Sequence, residues 1–302
     1  MYILAIETTG PFGSVALVSE EEKCVSGVAS EASGDSAECV DAVTDCRVLG
    51  EMTSADEMNH LKDLLPMVQR LLDSVKTSDG QALPKSALSH IAVSAGPGSF
   101  TGIRIGVSTA RALGQALGLP VVSVPTLDAF LYKENVRTLW GADFAGAVGA
   151  AGAVAGENGV PACEPVVVGI LNARRGQVYG IVDGYLEGCP CMLTDVLEIV
   201  SRSVKEACCP VVFYGDGIDA YEPKILETLS EAGMILGRDY FFAPKEVRYQ
   251  NAAAVARLAY EKVKAGDVLH YNDLHPEYMR KAEAEEKLAA GQLPICKLPK
   301  QE

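Results

Sequence analysis

The run Ala95-Gly96-Pro97-Gly98-Ser99-Phe100-Thr101-Gly102-Ile103-Arg104 constrains this chain more than any other segment. It follows a β-branched stretch, His90-Ile91-Ala92-Val93-Ser94, and precedes residues Thr101 to Leu117, which are rich in Gly, Ala, Ser and Thr. A strand must enter the loop and a helix must leave it. Gly96, Gly98 and Gly102 permit backbone angles that other residues resist, Pro97 stiffens the turn, and Ser99 or Thr101 can cap the helix. A loop so short of bulky side chains is suited to close backbone approach. Two readings follow. Unpaired amides at a helix start favour an anion, which makes Gly96, Gly98, Ser99, Thr101 and Gly102, with Glu7, Thr8 and Thr9 at the end of the first strand, a candidate nucleotide or phosphate site. Alternatively, the loop is a tight strand-to-helix turn whose small-residue helix packs against a neighbour. The spacing matches neither a Walker loop nor a dinucleotide fingerprint.

The 302 residues suffice for two sizeable cores, and 48% hydrophobic with 22% charged residues is ordinary for a globular protein. Against 26 Lys and Arg stand 40 Asp and Glu, a net charge of -14 that repels phosphate backbones and argues against unaided nucleic-acid binding. Any role in RNA chemistry then needs a partner to hold the RNA. No stretch approaches the apolar length of a membrane span, and the chain enters a strand at Tyr2 without a basic leader, so a cytoplasmic protein is expected. Nine Cys, at 24, 39, 46, 163, 189, 191, 208, 209 and 296, suit reduced thiols better than a disulfide framework. Neither Cys189-Pro190-Cys191 nor Cys208-Cys209 has zinc-site spacing.

The chain opens with a hairpin, Tyr2 to Thr9 turning through Gly10-Pro11-Phe12-Gly13 into Ser14 to Val18. From Asp56 to Val75 apolar residues recur at helical spacing, with Met67 widening the stripe and Pro66 expected either to kink the helix or to mark its start. Strand 90–94, the glycine loop, the helix to Leu117 and strand 120–124 complete a hairpin-then-βαβ order, an α/β domain with a mixed sheet. The second half repeats this more faintly. It has a hairpin of 165–171 and 177–182 around Asn172-Ala173-Arg174-Arg175-Gly176, then a helix near 195–207, a strand 211–214, the turn Gly215-Asp216-Gly217, and helices near 221–232 and 251–265. The expected organisation is therefore an N-terminal half of 1–124, a connection of 125–164 that is Gly/Ala-rich over 141–159, and a C-terminal half of 165–302. A segment of about 28–53, acidic and carrying Cys, is read as an insertion without the patterning of a core element.

Five motifs in this order resemble the TsaB family, also called YeaZ: Ile3-Leu4-Ala5-Ile6-Glu7-Thr8-Thr9, Asn59-His60-Leu61-Lys62-Asp63-Leu64-Leu65-Pro66, Gly96 to Gly106, Asn172-Ala173-Arg174-Arg175-Gly176-Gln177-Val178-Tyr179 and Pro276-Glu277-Tyr278-Met279-Arg280. The resemblance covers the chain apart from the two insertions and the tail after about Glu283. It implies an actin-like, sugar-kinase-like ATPase fold of two ribonuclease-H-like halves that has lost its catalytic equipment. The implied role is that of a scaffold subunit of the tRNA threonylcarbamoyladenosine machinery. Its relative TsaD, which binds metal and nucleotide, transfers threonylcarbamoyl to the adenosine beside the anticodon. TsaE, an ATPase, joins the pair, and tRNA is met only through the complex.

The residue chemistry agrees with that degeneracy. A working site of this fold needs acidic residues in both halves to hold metal around phosphates. Glu7 supplies one with a longer arm than the usual Asp, whereas Asn172, where the family commonly has Asp, cannot carry charge. Asp216, between two glycines, is read either as a ligand contact or as a turn residue satisfying backbone amides. His60, His90, His270 and His275 contain no pair at three- or four-residue spacing, so no metal site and no catalytic residue is assigned.

The expected partner surface is therefore helical: His60, Leu61, Leu64, Met67, Val68 and Leu71 on one helix, and Ile103, Arg104, Val107, Ala110 and Arg111 on the next. The resemblance implies a four-helix interface with TsaD there, and a homodimer through the same face when TsaD is absent. The opposing reading buries both helices in their own domain, with His60 a packed residue. Beside the non-catalytic subunit stand two alternatives, a metallopeptidase of the glycoprotease type and a nucleotide-binding ATPase of the actin-like fold.

Overall fold

A computed structural model of the chain describes residues 1–23, 43–77, 79–131, 165–207 and 209–279. The first sheet contains β1 (Tyr2–Glu7), β2 (Ser14–Lys23), β3 (Val43–Thr53), β4 (His90–Gly96) and β5 (Val121–Pro125), in the order β3-β2-β1-β4-β5. β1 to β3 form an antiparallel meander, with Glu7 opposite Ser14, and β4 and β5 continue from β1 in parallel. The helices α1 (His60–Ser74) and α2 (Phe100–Leu117) fall between these strands.

The second half repeats the plan with β6 (Val166–Asn172), β7 (Gln177–Val182), β8 (Leu186–Met192), α3 (Leu193–Ala207), β9 (Val211–Tyr214), α4 (Gly217–Glu231), β10 (Tyr240–Phe242), α5 (Lys245–Arg248) and α6 (Ala252–Lys264). Its sheet runs β10-β9-β6-β7-β8, the first order again when read from its other edge, with the same antiparallel meander and parallel pair.

β1 is apolar without alternation because both faces of its sheet are covered. Leu4 and Ile6 join Val15, Leu17, Ile91 and Val93 in a core closed by Leu64, Met67, Val68 and Leu71 of α1 and Ile103, Val107 and Ala110 of α2. Ile3 and Ala5 join Ala16, Val18, Ala92 and Val122 against Val255, Ala256, Ala259 and Tyr260 of α6. At roughly 1.5–3 kcal/mol for each large side chain removed from water, these two layers dominate the stability of the half.

Several expectations change here. Residues 43–53, read as part of an insertion, are strand β3, paired along its length with β2. The remainder of that insertion, residues 132–164 of the connection, Cys24, Cys39, Cys163, Cys208 and Cys296, and the tail from Arg280 lie outside the described residues. α1 begins at His60 with Pro66 inside it, so Pro66 does not mark the start. β8 and β10 were not anticipated, and α4 begins at Gly217, so the expected turn shortens to Gly215 and Asp216. α6, placed by the sequence in the C-terminal half, packs on the first sheet instead. The converse holds after β5, where Leu127 and Phe130 pack on Val167, Leu171, Ile181 and Val212 of the second sheet. Each sheet is thus covered on one face by a segment that follows the other sheet's meander or parallel pair.

Candidate functional site

At the C-terminal end of β1 the eight residues of the candidate phosphate site come together, and the chain's own atoms fill the space that the glycines leave. A Cβ on Gly98 would stand 2.6 Å from Thr9 Cβ, one on Gly102 would stand 1.9 Å from the Thr8 carbonyl oxygen, and one on Gly96 (φ +134°) would stand 2.2 Å from the Glu277 carbonyl oxygen. Backbone approach is what the glycines permit, and the approaching backbone is Thr8-Thr9 on one side and Glu277 on the other. The polar groups are engaged likewise. Ser99 N–H donates to the Thr9 carbonyl at 2.8 Å, Ser99 Oγ caps α2 by accepting from Gly102 N–H at 3.3 Å, and Thr8 Oγ1 donates to the Gly102 carbonyl at 2.8 Å. Thr101 is exposed on the first turn.

Glu7 is fully buried. Its Oε1 accepts from Thr9 N–H at 2.5 Å and from Thr9 Oγ1 at 2.6 Å, while Oε2 has no hydrogen-bond partner. Burial raises its pKa above the ordinary 4.5 despite the hydroxyls of Ser94 and Thr9 close by. In the second half, the equivalent strand end carries Asn172, whose N–H donates to Asp216 Oδ1 at 3.1 Å. Asp216 is thereby a turn residue satisfying a backbone amide, and burial raises its pKa as well. Asn172 is a neutral amide, and Glu7 and Asp216 each accept a hydrogen bond from a backbone N–H of their own half. Among the described residues, no group of three or more His, Cys, Asp or Glu is placed to hold a metal ion.

The helical surface differs from its expected membership. Leu64, Met67, Val68, Leu71, Ile103, Val107 and Ala110 are each at most 5% exposed and belong to the core of the first half. His60 is likewise inside, with neither ring nitrogen hydrogen-bonded and its pKa held below 6.5 by burial. These eight are corrections: they hold the helices to the sheet. Of the expected set, Leu61 is 81% exposed, Arg104 is exposed and Arg111 is half-buried. The surface gains Leu65 of α1 and Met58 just before it, at 56% and 60% exposure, and Phe100 of α2 with Tyr278 against it, at 45% and 42%. Phe100 and Tyr278 stack with ring centroids 4.9 Å apart, and the Arg104 guanidinium lies 3.9 Å from the Phe100 centroid. Phe100 and Tyr278 stood inside two of the five motifs, which was the available signal. Nothing in the pattern distinguished Leu65 from Leu64.

A segment from the far end of the chain supports this arrangement. Glu277 N–H donates to the Ala95 carbonyl at 2.8 Å, and Ser123 Oγ donates to Glu277 Oε1 at 3.1 Å. The motif around Pro276 thus lies along the ends of β4 and β5 and presses on the glycine loop. No helix among the described residues is long and apolar enough to cross a membrane.

Two five-stranded mixed sheets of one strand order, each flanked by helices and each ending its first strand at a polar turn, define an actin-like α/β protein built of two ribonuclease-H-like halves. The fold is shared with YeaZ from Pseudomonas aeruginosa, at a TM-score of 0.54 and 21% identity over 92% of this chain and 99% of that one. The family model for TsaD, tRNA N6-adenosine threonylcarbamoyltransferase, matches residues 48–140. The tRNA threonylcarbamoyladenosine biosynthesis protein TsaB of Bacillus subtilis is 29% identical over 253 residues, 81% of this chain and 90% of the relative. The protein of the same name from Escherichia coli is 41% identical over 68 residues, 22% of this chain and 27% of the relative. The similarity to TsaB extends over most of this chain, and the YeaZ structure shares its fold.

Proposed function

We propose that this chain is a non-catalytic subunit of the machinery that makes threonylcarbamoyladenosine in tRNA, binding TsaD through the outer faces of α1 and α2. The observation that carries the reading is the surface itself. Met58, Leu61 and Leu65 expose large apolar side chains on α1 and just before it, and Phe100 and Arg104 of α2 stack with Tyr278 beside them, a composition suited to protein contact and costly to leave in water. Met58 also holds a positive φ of 57° just before α1. The names of the relatives point the same way.

On this reading ATP and metal reside in TsaD, TsaE joins the pair, tRNA is engaged through the assembly, and the work is cytoplasmic. Alone, the same apolar face pairs with a second copy. The test is light-scattering mass of the chain alone, with TsaD of the same organism, and with a Leu61→Asp/Leu65→Asp variant. A homodimer that converts to a heterodimer, with both lost in the variant, is expected. A monomer indifferent to TsaD overturns the proposal.

A further inference from the structure

The hairpin between β6 and β7 holds three consecutive residues in the left-handed region: Arg174 at φ 64°, Arg175 at 55° and Gly176 at 76°. Glycine adopts this conformation freely, whereas L residues with a Cβ do so at a cost, and a tight hairpin of this kind favours Asn and Gly. Here the chain places two arginines instead, both exposed.

The strained turn is braced from behind. Ala173 N–H donates to the Gln177 carbonyl at 3.1 Å, Gln177 N–H to the Arg174 carbonyl at 3.0 Å, and Arg174 N–H to Asn172 Oδ1 at 2.8 Å. Tyr221 of α4 sets its hydroxyl into the turn, donating to Asn172 Oδ1 at 3.1 Å and accepting from Gly176 N–H at 3.2 Å. Asp216 accepts from Asn172 N–H on the other side. These groups fix the backbone beneath the two arginines, so their side chains are presented from a rigid base.

We propose that the Arg174-Arg175 tip is a phosphate-backbone contact for the RNA substrate of the assembly, an inference that rests on the function proposed above. Guanidinium is charged at every relevant pH, and its planar fork matches phosphate oxygens with two parallel hydrogen bonds. In a chain of net charge -14 the overall field repels a polyanion, so contact with RNA has to be made by locally fixed positive groups that project outward. A braced pair of arginines at positive φ meets that requirement, and backbone of this kind clusters at functional sites.

The experiment measures tRNA transcript binding by fluorescence anisotropy across a salt series. The wild-type chain assembled with TsaD is compared with Arg174→Asn/Arg175→Gly and with Arg174→Lys/Arg175→Lys, and assembly is followed separately by light scattering. The Asn-Gly variant relieves the turn, so it is expected to fold with an unchanged or higher Tm and to assemble normally. It should bind tRNA roughly tenfold more weakly, with a log-log salt slope shallower by about one to two. The double Lys variant, which keeps the charge and loses the fork, should recover the salt slope and only part of the affinity. Unchanged affinity and slope in an intact Asn-Gly assembly overturn the proposal. So does a loss of assembly without weaker RNA binding by the assembled fraction, which would place the arginines against an acidic protein surface. A wild-type chain that does not assemble with TsaD removes the ground of the function proposed above and of this contact together, and is recognised by mass before any RNA is added.

Discussion

Arg104 Nε donates to Tyr278 Oη across 2.8 Å and so joins residues 174 positions apart in the chain. The bond closes the C-terminal motif over the first turn of α2, where the same guanidinium rests on Phe100. Tyr278→Phe keeps the ring stack and removes the bond, so a loss of about 0.5–1.5 kcal/mol is expected in chemical denaturation. Arg104→Ala also removes the ring contact and should cost more than Tyr278→Phe in the same assay.

Leu61 and Leu64 lie on one helix with opposite fates. Leu64→Ala leaves a cavity beneath α1 and should cost about 2–5 kcal/mol, and Leu64→Asp should prevent folding at ordinary temperature. Leu61→Asp should change stability by no more than about 0.5 kcal/mol, because the residue is exposed. Denaturation midpoints of the two Asp variants check this. Equal effects would contradict the placement of the helix.

Gly102→Ala tests the glycine loop. Its Cβ would meet the Thr8 carbonyl oxygen at 1.9 Å, a backbone atom that cannot turn aside, so α2 must shift against β1. A destabilisation of about 1–3 kcal/mol or more is expected, as for other overpacked sites. Gly80→Ala is the contrast: no atom lies within 4 Å of its Cβ, and its penalty is confined to a φ of +74°.

Glu7 gives a pH dependence of definite sign. With the folded pKa raised above 4.5 by burial, the folded chain holds a proton that the unfolded chain releases. Stability is then greatest below pH 4.5 as far as this group is concerned, and it falls as pH rises from there to the folded pKa. Glu7→Gln removes that fall. The difference in unfolding free energy between variant and wild type should therefore move in favour of the variant as pH rises from 4.5. A flat difference would place the carboxyl in water. His60, lowered from 6.5, acts in the opposite sense and loses stability as pH falls below 6.5.

Much of this was legible in advance. Continuous apolar runs announce β1 and β4, the helical spacing announces α1, and small residues between a strand and a helix announce a close approach at Gly96 to Gly102. β3 was hidden because Val43 to Thr53 mixes Asp45, Arg47 and Glu51 with apolar residues at the sheet's outer edge, where one strand neighbour suffices. The exposed membership of the two helices departs from the expected set for a geometric reason. An apolar stripe wider than one core requires does not say which of its members are surplus, and Met67 turned inward while Leu61 and Leu65 remained outside. The brace of Tyr221 on the Arg174-Arg175 turn joins residues from separate elements and had no local signature.

The exchange of covers between the sheets, α6 on the first and Leu127 to Phe130 on the second, makes each half complete the other's packing. A gene cut after Thr126 would yield a first sheet with one bare apolar face and a second piece that carries its cover unused. The first fragment is thus left without the cover that closes its core, and co-expression of the second would supply it. A chain organised in this way can diverge at its turns and exposed helix faces while its bipartite plan stays indivisible.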